Sequence, residues 1–115
     1  MRIKQNNRFI LMWRTLQEEV HATAKIKGWH EGPKNDGECI ALMHSELSEA
    51  LEALRAGDLP DDKIPEFSGV EAELADVVIR IMDYSELRGL HIAEAIIAKC
   101  DMNKTREHRH GGKKF

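Results

Sequence analysis

Two pairs of acidic residues have the types and the spacing that metal binding requires. Glu46 and Glu49 lie in the segment HSELSEALEAL. Glu73 and Asp76 lie in the segment EAELADVV. Residues three apart on a helix are separated by about 60° around its axis, so the carboxylates of each pair point in similar directions and repel each other. Four such carboxylates in one volume need a counter-charge, or they must hold protons through raised pKa values.

A divalent cation removes this repulsion, and the donor types favour Mg²⁺. Mg²⁺ prefers hard oxygen ligands in octahedral geometry, and substrate phosphates commonly complete its coordination. A di-iron four-helix protein would need Glu-x-x-His on two helices, whereas this chain offers only Glu18 and His21. The simpler interpretation of any one pair is two solvated acids on a helix surface. Two pairs that both flank apolar stripes favour a metal site.

Four predicted helices position these acids. Apolar residues recur at intervals of three and four, and glycines, prolines and capping residues separate the periodic segments. Asp36 is predicted to cap the second helix and Ser68 the third. The predicted helices cover residues 8–27, about 37–56, Ser68 to near Gly89, and His91 to about Arg106.

The pattern predicts an all-α fold, a four-helix bundle-like module with antiparallel neighbours. Trp13 and Tyr84 are predicted to be buried by their spacing. The acids of the second helix stand on a stripe beside the predicted core stripe, in company with Leu42 and Ala53. The predicted core stripe of that helix consists of Ile40, Met43, Leu47, Ala50 and Leu54.

Length and composition predict one soluble domain that spans residues 1–115. The chain is 42% hydrophobic and 32% charged and has three prolines, which is typical of a helix-rich globular protein. We find no apolar run long enough to cross a membrane and no secretion signal, which predicts a cytoplasmic protein. Cys39 and Cys100 are expected to be reduced thiols.

The charge distribution is uneven along the chain. The net charge of -3 argues against a general nucleic-acid binder, and no stable binding of nucleic acid is expected. The segment from Lys104 to Lys114 is nonetheless basic, and residues 107–115 are predicted to form a flexible tail. An acidic middle is thus followed by a basic arm.

Three segments resemble the MazG-like all-α nucleoside triphosphate pyrophosphohydrolases: ECIALMHSELSEALEALRAGD, EAELADVVIRIMDYSELRG and KCDMNKTREHRHGGKKF. The paired ExxE and ExxD motifs, followed by Lys-x3-Asn-x2-Arg, carry the resemblance. It implies that Glu46, Glu49, Glu73 and Asp76 are the catalytic metal ligands for Mg²⁺, for which Mn²⁺ can substitute. It also implies hydrolysis of a nucleoside triphosphate to the monophosphate and pyrophosphate, a house-cleaning role in nucleotide pools, and a homodimer or homotetramer.

Five residues are predicted to bind the substrate. Lys99, Asn103 and Arg106 recur at four and three residues along one face of the fourth helix, where they are expected to grip phosphates. Lys113 follows two glycines that leave the backbone free to fold over phosphate. Trp29, in the loop after the first helix, is expected to stack on the base.

Two residues of the third helix are expected to support the four predicted metal ligands. Arg80 is predicted to balance its charge, and Asp83 is predicted to orient Arg80. The alternative from another class is a non-catalytic helical interaction protein whose basic C-terminal arm contacts nucleic acid, with the acids merely solvated.

Overall fold

The computed structural model describes residues 2–106, and in this range the chain forms four α-helices and no β-strand. The all-α prediction is confirmed. The helices are α1 (Arg2–Ile26), α2 (Asp36–Arg55), α3 (Gly69–Arg88) and α4 (Ile92–Lys104). Each lies close to its predicted range, except that α1 begins six residues earlier than residue 8. The predicted tail, residues 107–115, lies outside the described residues.

The start of α2 differs from its prediction in the capping residue. The side chain of Asn35 accepts a hydrogen bond from the backbone N–H of Glu38 at 3.1 Å, so Asn35 is the N-cap. The prediction that Asp36 caps the helix was wrong. Asp36 is the first helical residue, and its carboxylate instead accepts a hydrogen bond from Arg88 at 2.7 Å. The Asp36–Arg88 pair joins the start of α2 to the end of α3.

Both ends of α3 follow the prediction. Ser68 and Glu71 form a capping box, in which each side chain accepts a hydrogen bond from the backbone N–H of the other residue. Gly89 closes the helix with φ 65°, a left-handed conformation that glycine adopts without steric cost. These local signals fix where α3 begins and ends.

The helices pack as antiparallel neighbours, with α3 in contact with both α1 and α2. The end of α2 meets the start of α3 so closely that a Cβ on Gly69 would lie 3.1 Å from the Cβ of Ala53. On the other side of α3, Gln17 of α1 donates a hydrogen bond to Glu86 at 3.0 Å. The shorter α4 packs against α1.

The core stripe predicted for α2 was wrong for its leucines and isoleucine in the single chain, whereas its Ala50 is buried. Ile40, Leu47 and Leu54 are 43%, 46% and 54% exposed. The face of α2 that is buried carries Cys39, Glu46 and Ala50. Periodicity finds the apolar stripes of a helix, but α2 has two of them, and the face that packs against α3 lies between them, with Glu46 from one stripe and Ala50 from the other.

The described core is built largely from small side chains, since Ala24, Ala50, Ala72 and Ala93 are all buried. Trp13 and Tyr84, predicted as buried, are only partly so.

Both cysteines are free thiols, with Cys39 buried and Cys100 exposed. None of the helices in residues 2–106 combines the length and the apolar character that a membrane span requires.

Candidate metal site

Antiparallel packing of α2 against α3 brings three of the four predicted metal ligands together. One carboxylate oxygen from each of Glu46, Glu49 and Glu73 lies within 4.8 Å of the others. We call these three residues the acid cluster. Asp76, one turn after Glu73, lies outside that group, although the charge of Glu46 acts on it.

Two oxygens of the acid cluster are buried and have no hydrogen-bond partner, namely Oε2 of Glu46 and Oε2 of Glu73. Glu46 as a whole is only 8% exposed. Burying a carboxylate oxygen without a donor or a cation is costly, because the oxygen loses its hydration and gains nothing in return. These two buried oxygens can therefore each accept a bond from a ligand that supplies positive charge.

The proton affinities of the cluster reflect this crowding. Burial, together with the close approach and negative charge of the Glu49 carboxylate, raises the pKa of Glu73 to about 7. Burial and the charge of Glu46 likewise raise the pKa of Asp76. Burial alone would also raise the pKa of Glu46, but the hydrogen bond and positive charge of Arg80, with the neighbouring carboxyls of Glu49 and Glu73, outweigh it, so that this pKa is lowered.

Arg80 supplies a counter-charge to one member of the cluster, in part as predicted. Its Nε donates a hydrogen bond to Oε1 of Glu46 at 2.8 Å. The prediction that Asp83 orients Arg80 was wrong, because Asp83 accepts hydrogen bonds from His21 and His30 instead. One paired arginine against three carboxylates leaves the cluster with excess negative charge.

Trp29 lies beside this arrangement. The guanidinium carbon of Arg80 is 5.1 Å from the centre of the Trp29 ring, a cation–π geometry. Trp29 also lines a cavity of about 290 Å³ between α1 and α3, together with Leu16, Val20 and Ile79. Trp29, the residue predicted to stack on the base, is thus linked to the acid cluster by the side chain of Arg80, which contacts both.

The predicted phosphate-binding residues lie elsewhere in the chain. Lys99 and Asn103 are exposed on α4, and Arg106 is exposed just beyond it. Within residues 2–106, no hydrogen bond or ion pair joins any of these three to the acid cluster, and α4 packs on α1. Lys113 lies outside the described residues.

Sequence reasoning missed a second cluster, formed by His21, His30 and Asp83. His21 and His30 lie 62 and 53 positions before Asp83 along the chain, so no local spacing links either histidine to the aspartate. One signal was available: Gln17, His21 and Ala24 recur at four and three residues on the side of α1 that faces α3.

Comparisons of the chain with models of protein families, with curated proteins and with solved structures find no match. What the fold and the site define is therefore a class, an all-α protein whose α2 and α3 bring three carboxylates together, with Glu46 buried among them.

Proposed function

We propose that this protein is a Mg²⁺-dependent nucleoside triphosphate pyrophosphohydrolase of the MazG-like type that its sequence resembles. The reaction converts a nucleoside triphosphate to the monophosphate and pyrophosphate, in a cleaning role for nucleotide pools. The observation that carries the proposal is the acid cluster, in which buried Oε2 atoms of Glu46 and Glu73 have no partner.

The donor set fits a hard divalent cation. All its donors are carboxylate oxygens, which Mg²⁺ and Mn²⁺ prefer. Asp76 follows Glu73 by one helical turn and, on this proposal, completes the predicted quartet. When bound, Mg²⁺ neutralises phosphate charge and lowers the pKa of a coordinated water.

The protein's own residues divide the remaining tasks. Arg80 holds one oxygen of Glu46 and keeps that carboxylate ionised, so that it is ready to bind a cation. Glu49 is the exposed member of the cluster and is the carboxylate that a triphosphate from solution meets first. Trp29 offers a flat apolar surface for the base beside Arg80.

The cations for the phosphate chain come, on this proposal, from a second copy of the protein. In α2, Leu47, Leu51 and Leu54 follow one another at helical spacing and are about half exposed. Leu74 and Val78 of α3 are similarly exposed. A homodimer or homotetramer that buries these faces gives the partner's α4 a route to the acid cluster, so that its Lys99, Asn103 and Arg106 can meet the phosphates.

The test is a turnover assay of the full chain with a panel of nucleoside triphosphates, with and without Mg²⁺. Monophosphate and pyrophosphate are expected only with the metal. Glu49→Gln is expected to lower the rate at least a hundredfold, while the matched control Glu52→Gln, an exposed acid one turn further along α2, keeps it. Release of orthophosphate would contradict the proposal. Absence of turnover with salt-sensitive binding of nucleic acid would favour the interaction protein instead.

A further inference from the structure

Two histidines and an aspartate from three parts of the chain meet on the side of α3 that faces α1. Nδ1 of His21 lies 2.8 Å from Oδ1 of Asp83. Nε2 of His30, in the loop after α1, lies 2.8 and 2.9 Å from the two oxygens of the same carboxylate. The side chains of His21, His30 and Asp83 are only 15%, 11% and 9% exposed. We call these three residues the histidine cluster.

The two imidazoles reach both oxygens of Asp83, so the buried carboxylate has hydrogen-bond partners but no fixed positive charge beside it. Two neutral imidazoles can each donate an N–H to Asp83, but no Lys or Arg within residues 2–106 forms an ion pair with this buried carboxylate. A carboxylate removed from water and faced only by imidazoles has the surroundings in which metal-ligating acids are found.

We propose that His21, His30 and Asp83 bind one transition-metal ion of the Zn²⁺ class. One ligand atom from each residue already lies within 4.8 Å of the others. Zinc takes His nitrogens and carboxylate oxygens at about 2.0–2.2 Å, which in a tetrahedron separates the ligand atoms by about 3.3 Å. Each histidine nitrogen, now 2.8 Å from an oxygen of Asp83, is thus about 0.5 Å closer to that oxygen than in such a tetrahedron. Three protein ligands leave the fourth position to water.

The histidine cluster and the acid cluster select different ions. Two imidazole nitrogens favour Zn²⁺, Co²⁺ or Ni²⁺, whereas an all-oxygen set favours Mg²⁺ or Mn²⁺. An ion at the histidine cluster ties α1, the loop and α3 together, and that loop carries Trp29. The inference does not rest on the proposed enzymatic function, because it uses none of the residues of the acid cluster.

The test is Zn²⁺ binding by the full chain after treatment with a chelator, measured by calorimetry in excess Mg²⁺. The chain has six histidines, so His108→Gln and His110→Gln are introduced into every variant to remove the two in the C-terminal arm. One Zn²⁺ per chain is expected. His30→Gln and His21→Gln are each expected to weaken binding at least tenfold. The matched control His44→Gln, an exposed histidine of α2, and Glu49→Gln are expected to retain it.

A second measurement uses protein in which His21, His30 and Asp83 are all retained. Long-range ¹H–¹⁵N correlation of the imidazoles should shift at Nδ1 of His21 and at Nε2 of His30 when Zn²⁺ is added. Equal Zn²⁺ affinity in His21→Gln, His30→Gln and the parent would overturn the proposal. So would loss of binding in Glu49→Gln alone, or shifts confined to the other ring nitrogens.

Discussion

Neighbouring glutamates of the acid cluster hold their protons with different strength. Glu46 has a cationic partner in Arg80, which stabilises its ionised form. Glu73 has no such partner and faces Glu49, so burial and repulsion favour its protonated form. A proton is the simplest positive charge that satisfies this site, and a divalent cation competes for the same place.

The first prediction is a pH-dependent stability in the absence of divalent cations. Because the pKa of Glu73 is raised from 4.5 to about 7, the folded chain binds more protons than the unfolded chain between these values. The stability linked to this proton is fully present below pH 4.5 and is lost as the pH rises through about 7. The raised pKa of Asp76 acts in the same direction. Urea unfolding at several pH values in EDTA should show a falling free energy of unfolding.

Glu73→Gln is the test of this assignment, because the amide is neutral at every pH. The variant should lose most of the pH dependence of the free energy of unfolding, and it should be more stable than the parent protein above pH 7. Mg²⁺ should flatten the parent profile in the same way. An unchanged slope in Glu73→Gln would show that other groups cause the dependence.

Residue spacing could predict the acid cluster but not the histidine cluster. The acids occur as pairs within single helices, and Glu46 lies on the face of α2 that α3 covers. The contacts of His21 and His30 with Asp83 depend instead on how α1 and its loop are placed against α3. The partner of Asp83 was predicted as Arg80, which is close in sequence, because tertiary placement is not encoded in local spacing.

Helix boundaries were largely predictable, whereas helix orientation was not. Ser68 and Gly89 act within a turn of their own positions, so their chemistry fixes the ends of α3. The rotation of α2 depends on the competition between two apolar stripes. The leucines of the predicted core stripe are exposed, because close approach to α3 requires small residues: Ala50 from that stripe, which is buried, and Ala53, which lies against Gly69.

The second prediction concerns the start of α2. Asn35→Ala removes the side-chain acceptor for the backbone N–H of Glu38, and we expect the free energy of unfolding to fall by about 1 kcal/mol. Asn7→Ala, at an exposed position within α1, is the control and should leave stability nearly unchanged. Chemical denaturation monitored by circular dichroism measures both. A loss in Asp36→Ala that exceeds the loss in Asn35→Ala would instead indicate that the Arg88 pair dominates this helix end.

At the scale of the whole molecule, the single chain is loosely built for its length. Its radius of gyration is 16.7 Å, whereas a compact domain of 100 residues measures about 13 Å. Leu47, Leu51 and Leu54 extend over two turns of α2 and remain about half exposed. A second copy that covers this stripe would form the core that the sequence pattern assigned to one chain.

The last prediction tests whether two chains build one active site. Glu49→Gln and Lys99→Ala should each be inactive, because one lacks a metal ligand and the other a phosphate cation. In a mixed dimer, the Lys99→Ala chain still supplies Glu49 and the Glu49→Gln chain still supplies Lys99, which leaves one intact site. After unfolding, mixing and refolding of equal amounts, a symmetric dimer should regain about a quarter of the parent activity. Mixing two Glu49→Gln samples is the control. No recovery, with mixed dimers present by mass spectrometry, would mean that Lys99 serves the acid cluster of its own chain or none at all.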